Sequence, residues 1–317
     1  TRLDRWSELL QVFEREVELI DEAAEKIKLY NKMGSIWEER FSNVENAAAC
    51  HDSILDLDPN NLPSVKALER LVRRMGDFKR LIDLYYKHID LVSDQSEIVD
   101  IHLAIGEVWY RELSRVDRAE EVFTAALKIN EQSSQAIHAL GQLYEKSGNW
   151  FNAIEMLQKE AELCGATPEA VDLYYRMGKI NEDMLLDSGA AREAYTRALA
   201  IDPSYLPAIK ALKLIHYLDK EYDQYLEMMI QEAEHTEDVE EKTRLFYEIG
   251  KFLQEHHEDS TRASQYYEES LRRTPDYLPA AKPLADIYFR TEQWEKAEQM
   301  MEVVVAGLDR NTEAKEL

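Results

Sequence analysis

Apolar residues recur along this chain at intervals of three and four, the spacing that places side chains on one face of a helix. Residues 133–144 show the pattern clearly, with apolar side chains at Ala136, Ile137, Leu140, Leu143 and Tyr144. A polar turn that contains Gly148 follows, and a second helix with the same spacing begins at Trp150. No segment shows the strict alternation of a strand, so the sequence predicts an all-α protein.

The chain also repeats itself at an interval of 72 residues. One column of this repeat is aromatic throughout: Trp6, Phe78, Trp150, Tyr222 and Trp294. A second column holds the glycines Gly34, Gly106, Gly178 and Gly250. Within each 72 residues, a half-period alternates between 35 and 37 residues. Each super-repeat therefore contains two related units, and a fixed period of this length is typical of a solenoid.

Each unit predicts two antiparallel helices, here called the A helix and the B helix, and the whole chain predicts about 17 helices. A lone B helix is expected at 1–22, and Pro283, a turn into its predicted helix, is expected to distort that helix. The chain is predicted to be one array with a tail at 311–317, its helix pairs lying at 23–59, 60–95, 96–131, 132–167, 168–203, 204–238, 239–275 and 276–310.

One motif is more specific than the periodicity, and it reads Leu140-Gly141-x2-Tyr144-x3-Gly148-x-Trp150-x2-Ala153-x3-Leu157. It resembles the tetratricopeptide repeat, in which a Leu-Gly-x2-Tyr helix precedes a helix with spaced alanine and aromatic residues. Units around Gly106, Gly178 and Gly250 fit the same frame with one extra residue between their helices. The resemblance covers essentially the whole chain, which looks similar to the long arrays of large bacterial proteins. It implies a right-handed α-α superhelix whose A helices line the concave face.

Two units depart from the family pattern. Glu69 and Lys213 stand where the small residue of the A helix is expected, and Leu81 and Tyr225 stand where the alanine of the B helix is expected. Small residues on facing turns let two helices approach to about 8–10 Å. We therefore expect these two units to pack less closely than the others.

Both ends of the array lack a polar cap. The first predicted helix has no A partner, and no solvating helix follows the last apolar segment, 303–308. Each repeat buries its apolar face against a neighbour, so arrays need capping units at their ends. The chain also begins with Thr1 rather than Met. We expect a piece of a longer protein, and end-to-end self-association through the uncapped helices stays open.

The net charge of the chain limits the kinds of partner that it can bind. Of 317 residues, 63 are acidic and 38 are basic, which gives a formal net charge of −25. Such a chain repels nucleic-acid phosphates, whose binding depends on Lys and Arg. Its longest apolar run, 303–308, is far shorter than the ~20 residues of a membrane span. Cys50 and Cys164 are too few for a disulfide framework or a zinc site and are interpreted as packed residues. The compartment stays open, with the cytoplasm favoured.

The sequence contains no motif that predicts catalysis. It has no glycine-rich phosphate loop, no Gly-x-Ser-x-Gly elbow and no His-Glu-x2-His zinc motif. His256 and His257 are adjacent, so on a helix their side chains point about 100° apart and do not form the i, i+4 pair that chelates one metal ion. We predict no enzymatic activity, no catalytic residue, no metal and no cofactor.

The resemblance implies a protein-interaction scaffold that binds a peptide or a folded partner on its concave face. One column of that face is cationic, because Lys66, His138, Lys210 and Lys282 recur every 72 residues. Such a column suits carboxylates or an acidic peptide, although a repeat also copies surface lysines that have no role. The full set of expected partner-binding residues is Lys66, Arg70, Arg73, Arg74, His138, Tyr175, Lys210, Tyr247 and Lys282.

Other functions were weighed against this one. A docking or regulatory arm of an enzyme whose catalytic domain lies outside the chain remains the alternative. The carboxylate-clamp subfamily is not matched, since Asn31, Leu103, Tyr175 and Tyr247 stand where its first lysine belongs. Residues 191–199 are similar to the half-repeats of RNA-processing scaffolds, but the small residue at the centre of the A helix counts against that family.

Overall fold

The structure, a computed structural model, describes residues 2–316, with side chains described for residues 5–307. Within the described residues it contains 17 α-helices and no strand, which confirms the all-α prediction. The helices are α1 Arg2–Leu19, α2 Ala23–Glu39, α3 Val44–Leu57, α4 Leu62–Met75, α5 Phe78–Leu91, α6 Gln95–Glu107, α7 Val116–Ile129, α8 Ser134–Ser147, α9 Trp150–Cys164, α10 Pro168–Ile180, α11 Ser188–Ile201, α12 Leu206–Leu218, α13 Tyr222–His235, α14 Val239–His256, α15 Ser260–Arg273, α16 Leu278–Arg290 and α17 Trp294–Glu316.

One predicted boundary differs from the structure, and one proline has a defined place in its helix. The tail predicted from residue 311 is wrong for 311–316, because α17 continues to Glu316. Residue 317 lies outside the described residues. Pro283 lies inside α16, and the helix continues on both sides of it.

Two short π-helical segments extend A helices, π1 at Val108–Glu112 after α6 and π2 at Asn181–Leu185 after α10. They lie in units predicted to hold one extra residue, and a π segment is a usual way for a helix to accommodate an inserted residue.

Helix starts follow from side-chain caps. Asn43 accepts a hydrogen bond from the backbone N–H of Asn46 at 2.8 Å. Asp187 and Asp259 stand at equivalent places, and each accepts a bond of 2.9 Å from the backbone N–H three residues later. A capping oxygen satisfies an amide that has no partner inside the helix, and it stabilises a helix by about 0.5–2 kcal/mol. The polar residue before α3, α5, α11 and α15 therefore fixes where each of these B helices begins, whereas Arg115 and Glu221, before α7 and α13, make no such bond.

Every turn from an A helix to its B helix contains one residue in the left-handed conformation. Their φ angles lie between 50° and 76°. Only two of the eight are glycine, although a side chain in this conformation costs about 1–2 kcal/mol. The eight residues are Ser42, Gly76, Ser114, Gly148, Leu186, Lys220, Glu258 and Glu292. This conformation ends the A helix and reverses the chain.

The chain divides into two compact units, unit 1 at Thr1–Met156 and unit 2 at Leu157–Leu317. The core of unit 1 includes Leu68, Leu71 and Ile105, which are fully buried. The core of unit 2 includes Tyr195 and Tyr267, which are also almost completely buried. In unit 1, the buried cluster joins Leu68 on α4, Leu81 on α5 and Ile105 on α6, as expected when each helix pair buries its apolar face against the next. That the whole chain forms one array stays a prediction.

Inside three pairs, an aromatic ring of the B helix packs directly on a glycine of the A helix. A methyl group added at Gly178 would lie 2.2 Å from Cε1 of Tyr195. The same addition at Gly106 would lie 2.2 Å from the ring of Phe123. The hydroxyl of Tyr195 donates a hydrogen bond to Glu182 at 2.7 Å, which holds the ring in place. The glycine column of the sequence therefore marks the points where these rings contact the helix backbone.

Hydrogen-bonded side-chain pairs occupy the two positions where the small residue is missing. In unit 1, Nδ1 of His88 lies 2.8 Å from Oε1 of Glu69, and burial raises the pKa of the Glu69 carboxyl although His88 opposes the rise. In unit 2, Lys213 donates to Glu232, whose side chain is only 4% exposed. Each pair joins an A helix to its own B helix. The looser packing expected for these two units stays a prediction.

Candidate partner-binding surface

In unit 1, the exposed face of α4 is basic, but its cations already contact carboxylates of neighbouring A helices. Nζ of Lys66 lies 2.7 Å from Oε1 of Glu97 on α6. Arg70 contacts Glu38 of α2 through both of its terminal nitrogens, with Nη2 at 2.6 Å from Oε2. Arg74 adds a bond of 2.9 Å to the same carboxylate. Ion pairs therefore connect α4 to the A helices on both sides of it.

The fourth cation of this face has a different partner. Nη2 of Arg73 donates to the hydroxyl of Tyr85 at 2.6 Å. Three of the four basic side chains of α4 thus contact two carboxylates on neighbouring A helices, and the fourth contacts a tyrosine hydroxyl. The hydrogen bond from Arg70 holds the pKa of Glu38 below its ordinary value. In the same way, the bond from Lys66 lowers the pKa of Glu97.

His138 lies beside a groove of about 540 Å³ between α6 with π1 and α8, also in unit 1. Its Nε2 lies 2.7 Å from Nε2 of Gln142 one turn later. The ammonium group of Lys146 lies 5.5 Å from the centre of the Tyr110 ring, a cation–π contact at the same groove. Phe123 contributes an apolar side chain to the lining. The groove thus combines polar groups with apolar surface.

In unit 2, the two lysines of the column differ in their surroundings. Nζ of Lys210 lies 3.5 Å from Oε1 of Glu241 and 3.7 Å from Oε1 of Glu232. Lys282 is exposed, and among the described residues it has no ion-pair partner. Lys66 and Lys210 therefore both contact a glutamate of the next A helix, because Glu97 lies in the first turn of α6 and Glu241 lies in the first turn of α14. A Glu column with the period of the Lys column is visible in the sequence and could have predicted these pairs.

The two expected tyrosines are part of the packing of unit 2. The Tyr175 ring lies 5.6 Å, centre to centre, from the rings of both Tyr195 and Tyr205. The Tyr247 ring lies 6.0 Å from those of Tyr267 and Tyr277. Both are half-buried, so each presents one edge to solvent. Their aromatic neighbours, which lie 20 to 30 residues away in the sequence, fix their orientation.

No metal or membrane site emerges from the part of the chain that is described. Groups of three or more His, Cys, Asp or Glu side chains placed to hold a metal ion are absent from the described residues. Every described helix also falls short of the length and apolar character that a bilayer span needs. Cys50 is buried, which raises the pKa of its thiol to about 11, and Cys164 is half-buried.

One stretch of the chain matches a known repeat family. The sequence model of the tetratricopeptide repeat matches residues 136–171. Comparison with curated proteins gives no match. Among solved structures, YrrB, described as a TPR protein with an unusual peptide-binding site, is 20% identical, with a TM-score of 0.39 over 63% of this chain and 96% of YrrB. A tetratricopeptide repeat protein from Parabacteroides merdae is 13% identical, with a TM-score of 0.40 over 82% of this chain and 98% of that protein.

Proposed function

We propose that this chain, an all-α array of helix pairs that includes a tetratricopeptide repeat, is a non-catalytic scaffold that binds a peptide or a folded partner on its A helices. Repeat arrays present broad surfaces along their length, and affinity comes from a few anchoring side chains within such a surface. The alternative, a docking or regulatory arm of an enzyme, uses the same surface and differs only in what lies outside this chain.

One observation carries the proposal: every second A helix, namely α4, α8, α12 and α16, exposes a basic side chain at the same position. These side chains are Lys66 on α4, His138 on α8, Lys210 on α12 and Lys282 on α16. A repeat position that is cationic and exposed in both units is suited to an anionic segment. The groove beside His138 supports the proposal, because its volume of about 540 Å³ falls within the range of about 300–1,000 Å³ that is typical of ligand sites.

The internal ion pairs do not prevent such binding. The side chains of Lys66 and Lys210 remain 48% and 47% exposed while they contact their glutamates. Exposed pairs of this kind contribute about 0–1 kcal/mol, because water and salt screen them. A partner carboxylate can therefore replace Glu97 or Glu241 with little loss. Among the described residues, Lys282 has no internal ion pair to give up.

The test uses a fluorescein-labelled decapeptide of alternating Glu and Ser, with fluorescence anisotropy as the readout. The variant Lys66→Glu/Lys210→Glu/Lys282→Glu reverses the column. A control, Lys79→Glu/Lys128→Glu/Arg262→Glu, changes the net charge equally but on exposed positions of the B helices α5, α7 and α15. We expect the first variant to lose binding at least tenfold and the control to change it less than threefold. Equal losses in both variants would show that only net charge matters, and would reject the proposed surface.

A further inference from the structure

The C-terminal end of α12, in unit 2, carries an exposed apolar stripe. Leu214, Tyr217 and Leu218 are 49%, 51% and 68% exposed, and their spacing of three and four residues places them on one face. The end of π2 and the turn after it add two more exposed apolar side chains, Met184 at 53% and Leu186 at 83%. We call these five residues the turn-end patch. Contiguous apolar surface of this kind marks interaction sites in soluble proteins.

The two parts of the patch belong to neighbouring turns. Arg192, in the second turn of α11, contacts Asp219 and also Glu221, with Nη1 at 3.0 Å from Oε1 of Glu221. Leu218 immediately precedes Asp219, and Leu186 immediately precedes the cap of α11. The same arginine therefore joins the segment that follows Leu186 to the segment that follows Leu218.

The fold does not require apolar residues at these positions. In the other repeats of the chain, the equivalent positions are mostly polar or charged and the helices still form. Leu186 corresponds to Ser42, Ser114 and Glu258, Leu214 to Arg70, Gln142 and Asp286, and Leu218 to Arg74, Lys146 and Arg290. Leu186 also has a φ of 55°, a left-handed conformation that costs a side-chain-bearing residue about 1–2 kcal/mol. Neither packing nor backbone geometry explains these leucines.

The charged residues that border the turn-end patch indicate which kind of partner it can bind. The two segments that border it, 182–192 and 219–223, contain six carboxylates and two basic side chains. Lys179 contacts two of these carboxylates, Glu182 and Asp183, and the border stays negative when its charge is included. Arg192 is one of the two basic residues, and it is already paired with Asp219 and Glu221. An anionic surface, whether acidic peptide or anionic membrane, is repelled by this border. A helix with apolar residues in the centre and Lys or Arg at its flanks meets both features.

We propose that the turn-end patch docks a basic amphipathic helix of a partner protein. The inference rests on the proposed scaffold function and adds a partner chemistry for unit 2. Leu214, Tyr217 and Leu218 provide the apolar contact along α12, and Leu186 extends it across the next turn. The bordering carboxylates pair with the basic flanks of the incoming helix.

The experiment uses the whole chain and an 18-residue peptide of Leu and Lys whose leucines recur at three and four, labelled with fluorescein. A scrambled peptide of the same composition reports on attraction by net charge alone. The patch variant Leu186→Ser/Leu214→Gln/Leu218→Gln keeps the charge of the protein. The control variant Leu163→Gln/Val239→Gln removes exposed apolar residues elsewhere in unit 2, which are 43% and 57% exposed. Circular dichroism and thermal unfolding check the fold of each variant.

We expect the natural chain to bind the amphipathic peptide at least tenfold more tightly than the scrambled one. The patch variant should lose that preference, and the control variant should keep it. Equal binding of both peptides, or an unchanged preference in the patch variant, would overturn the proposal. Binding to neutral lipid vesicles that the patch variant loses, without discrimination between the peptides, would also overturn it in favour of a membrane.

A single-residue variant and an independent probe make the outcome decisive. If the patch variant does not fold, Leu218→Gln alone decides, because a side chain 68% exposed contributes little to the core. The acidic decapeptide described above tests the lysine column with different residues and a different probe. Failure of the column therefore leaves the outcome for the turn-end patch interpretable, and the reverse also holds.

Discussion

The contact between Gly178 and Tyr195 gives the sharpest stability prediction. In Gly178→Ala, the new methyl group would lie 2.2 Å from Cε1, 2.5 Å from Cδ1 and 2.7 Å from Cζ of the tyrosine ring. The ring is fully buried, its hydroxyl is bonded to Glu182, and the Tyr175 ring lies 5.6 Å away. The ring therefore cannot move aside without breaking other contacts. Overpacking of this kind costs about 1–3 kcal/mol, against a gain of up to about 1 kcal/mol in helix propensity.

We expect a net loss of about 2 kcal/mol for Gly178→Ala, because the overlap is large enough to place it in the upper part of that range. Gly141→Ala is the matched control at the small-residue position of another A helix. There, the added methyl would meet only Cβ of Met156, at 3.4 Å, which is nearly ordinary contact. Alanine should then stabilise the helix by up to about 1 kcal/mol. The same substitution is thus expected to have opposite signs at two related positions.

Urea unfolding followed by circular dichroism measures both effects. Repeat arrays can unfold in stages, so the midpoints are compared only where the m-values agree. The double variant Gly178→Ala/Tyr195→Leu isolates the contact, because the smaller side chain leaves room for the methyl group. Its loss should be smaller than the sum of the two single losses by at least about 1 kcal/mol. A neutral or stabilising Gly178→Ala, or strictly additive losses, would refute the assignment of this contact.

Three further predictions concern single positions. Lys220→Gly should stabilise unit 2 by about 1 kcal/mol in thermal unfolding, because Lys220 has a φ of 59° and glycine adopts that conformation freely; a lower melting temperature would contradict this. Glu38→Gln should remove no more than about 1 kcal/mol at pH 7. The hydrogen bond from Arg70 lowers the pKa of Glu38 in the folded protein. The contribution of Glu38 to the free energy of unfolding is therefore present above about pH 4.3 and is lost as the pH falls, so the variant and the natural chain should become equally stable in acid. A difference in stability that persists at pH 2 would exclude this linkage. Lys213→Ala should cost about 2–3 kcal/mol in urea because it leaves the buried Glu232 carboxylate with only the more distant Lys210, at 3.7 Å, and Lys213→Ala/Glu232→Gln should recover part of that loss.

Local pattern was sufficient to predict most of the fold. Apolar spacing and polar breaks predicted the helices, since both depend on residues within one or two turns. The glycine column predicted close approach, and in three pairs the structure places an aromatic ring on that glycine. The boundary at residue 311 failed because polar residues that look like a tail continue α17 to Glu316.

The surface was harder to predict than the fold. Arg70 and Arg74 were identified as exposed cations, but their shared partner Glu38 lies one repeat earlier on another helix. Such a pairing depends on side-chain reach across two helices, which a periodicity in one chain does not encode. For the same reason, Tyr175 and Tyr247 were expected at the partner surface although each is half-buried in an aromatic stack.

Photo-crosslinking can identify which helices contact the acidic peptide. The acidic decapeptide, with benzophenone-alanine at its centre, is irradiated with the full chain, and the crosslinked residues are identified by mass spectrometry. We expect crosslinks near Lys66, His138, Lys210 and Lys282 on α4, α8, α12 and α16, and we expect Lys66→Glu/Lys210→Glu/Lys282→Glu to lose them. Crosslinks confined to the B helices, or unchanged in that variant, would contradict the claim that the A helices form the binding surface.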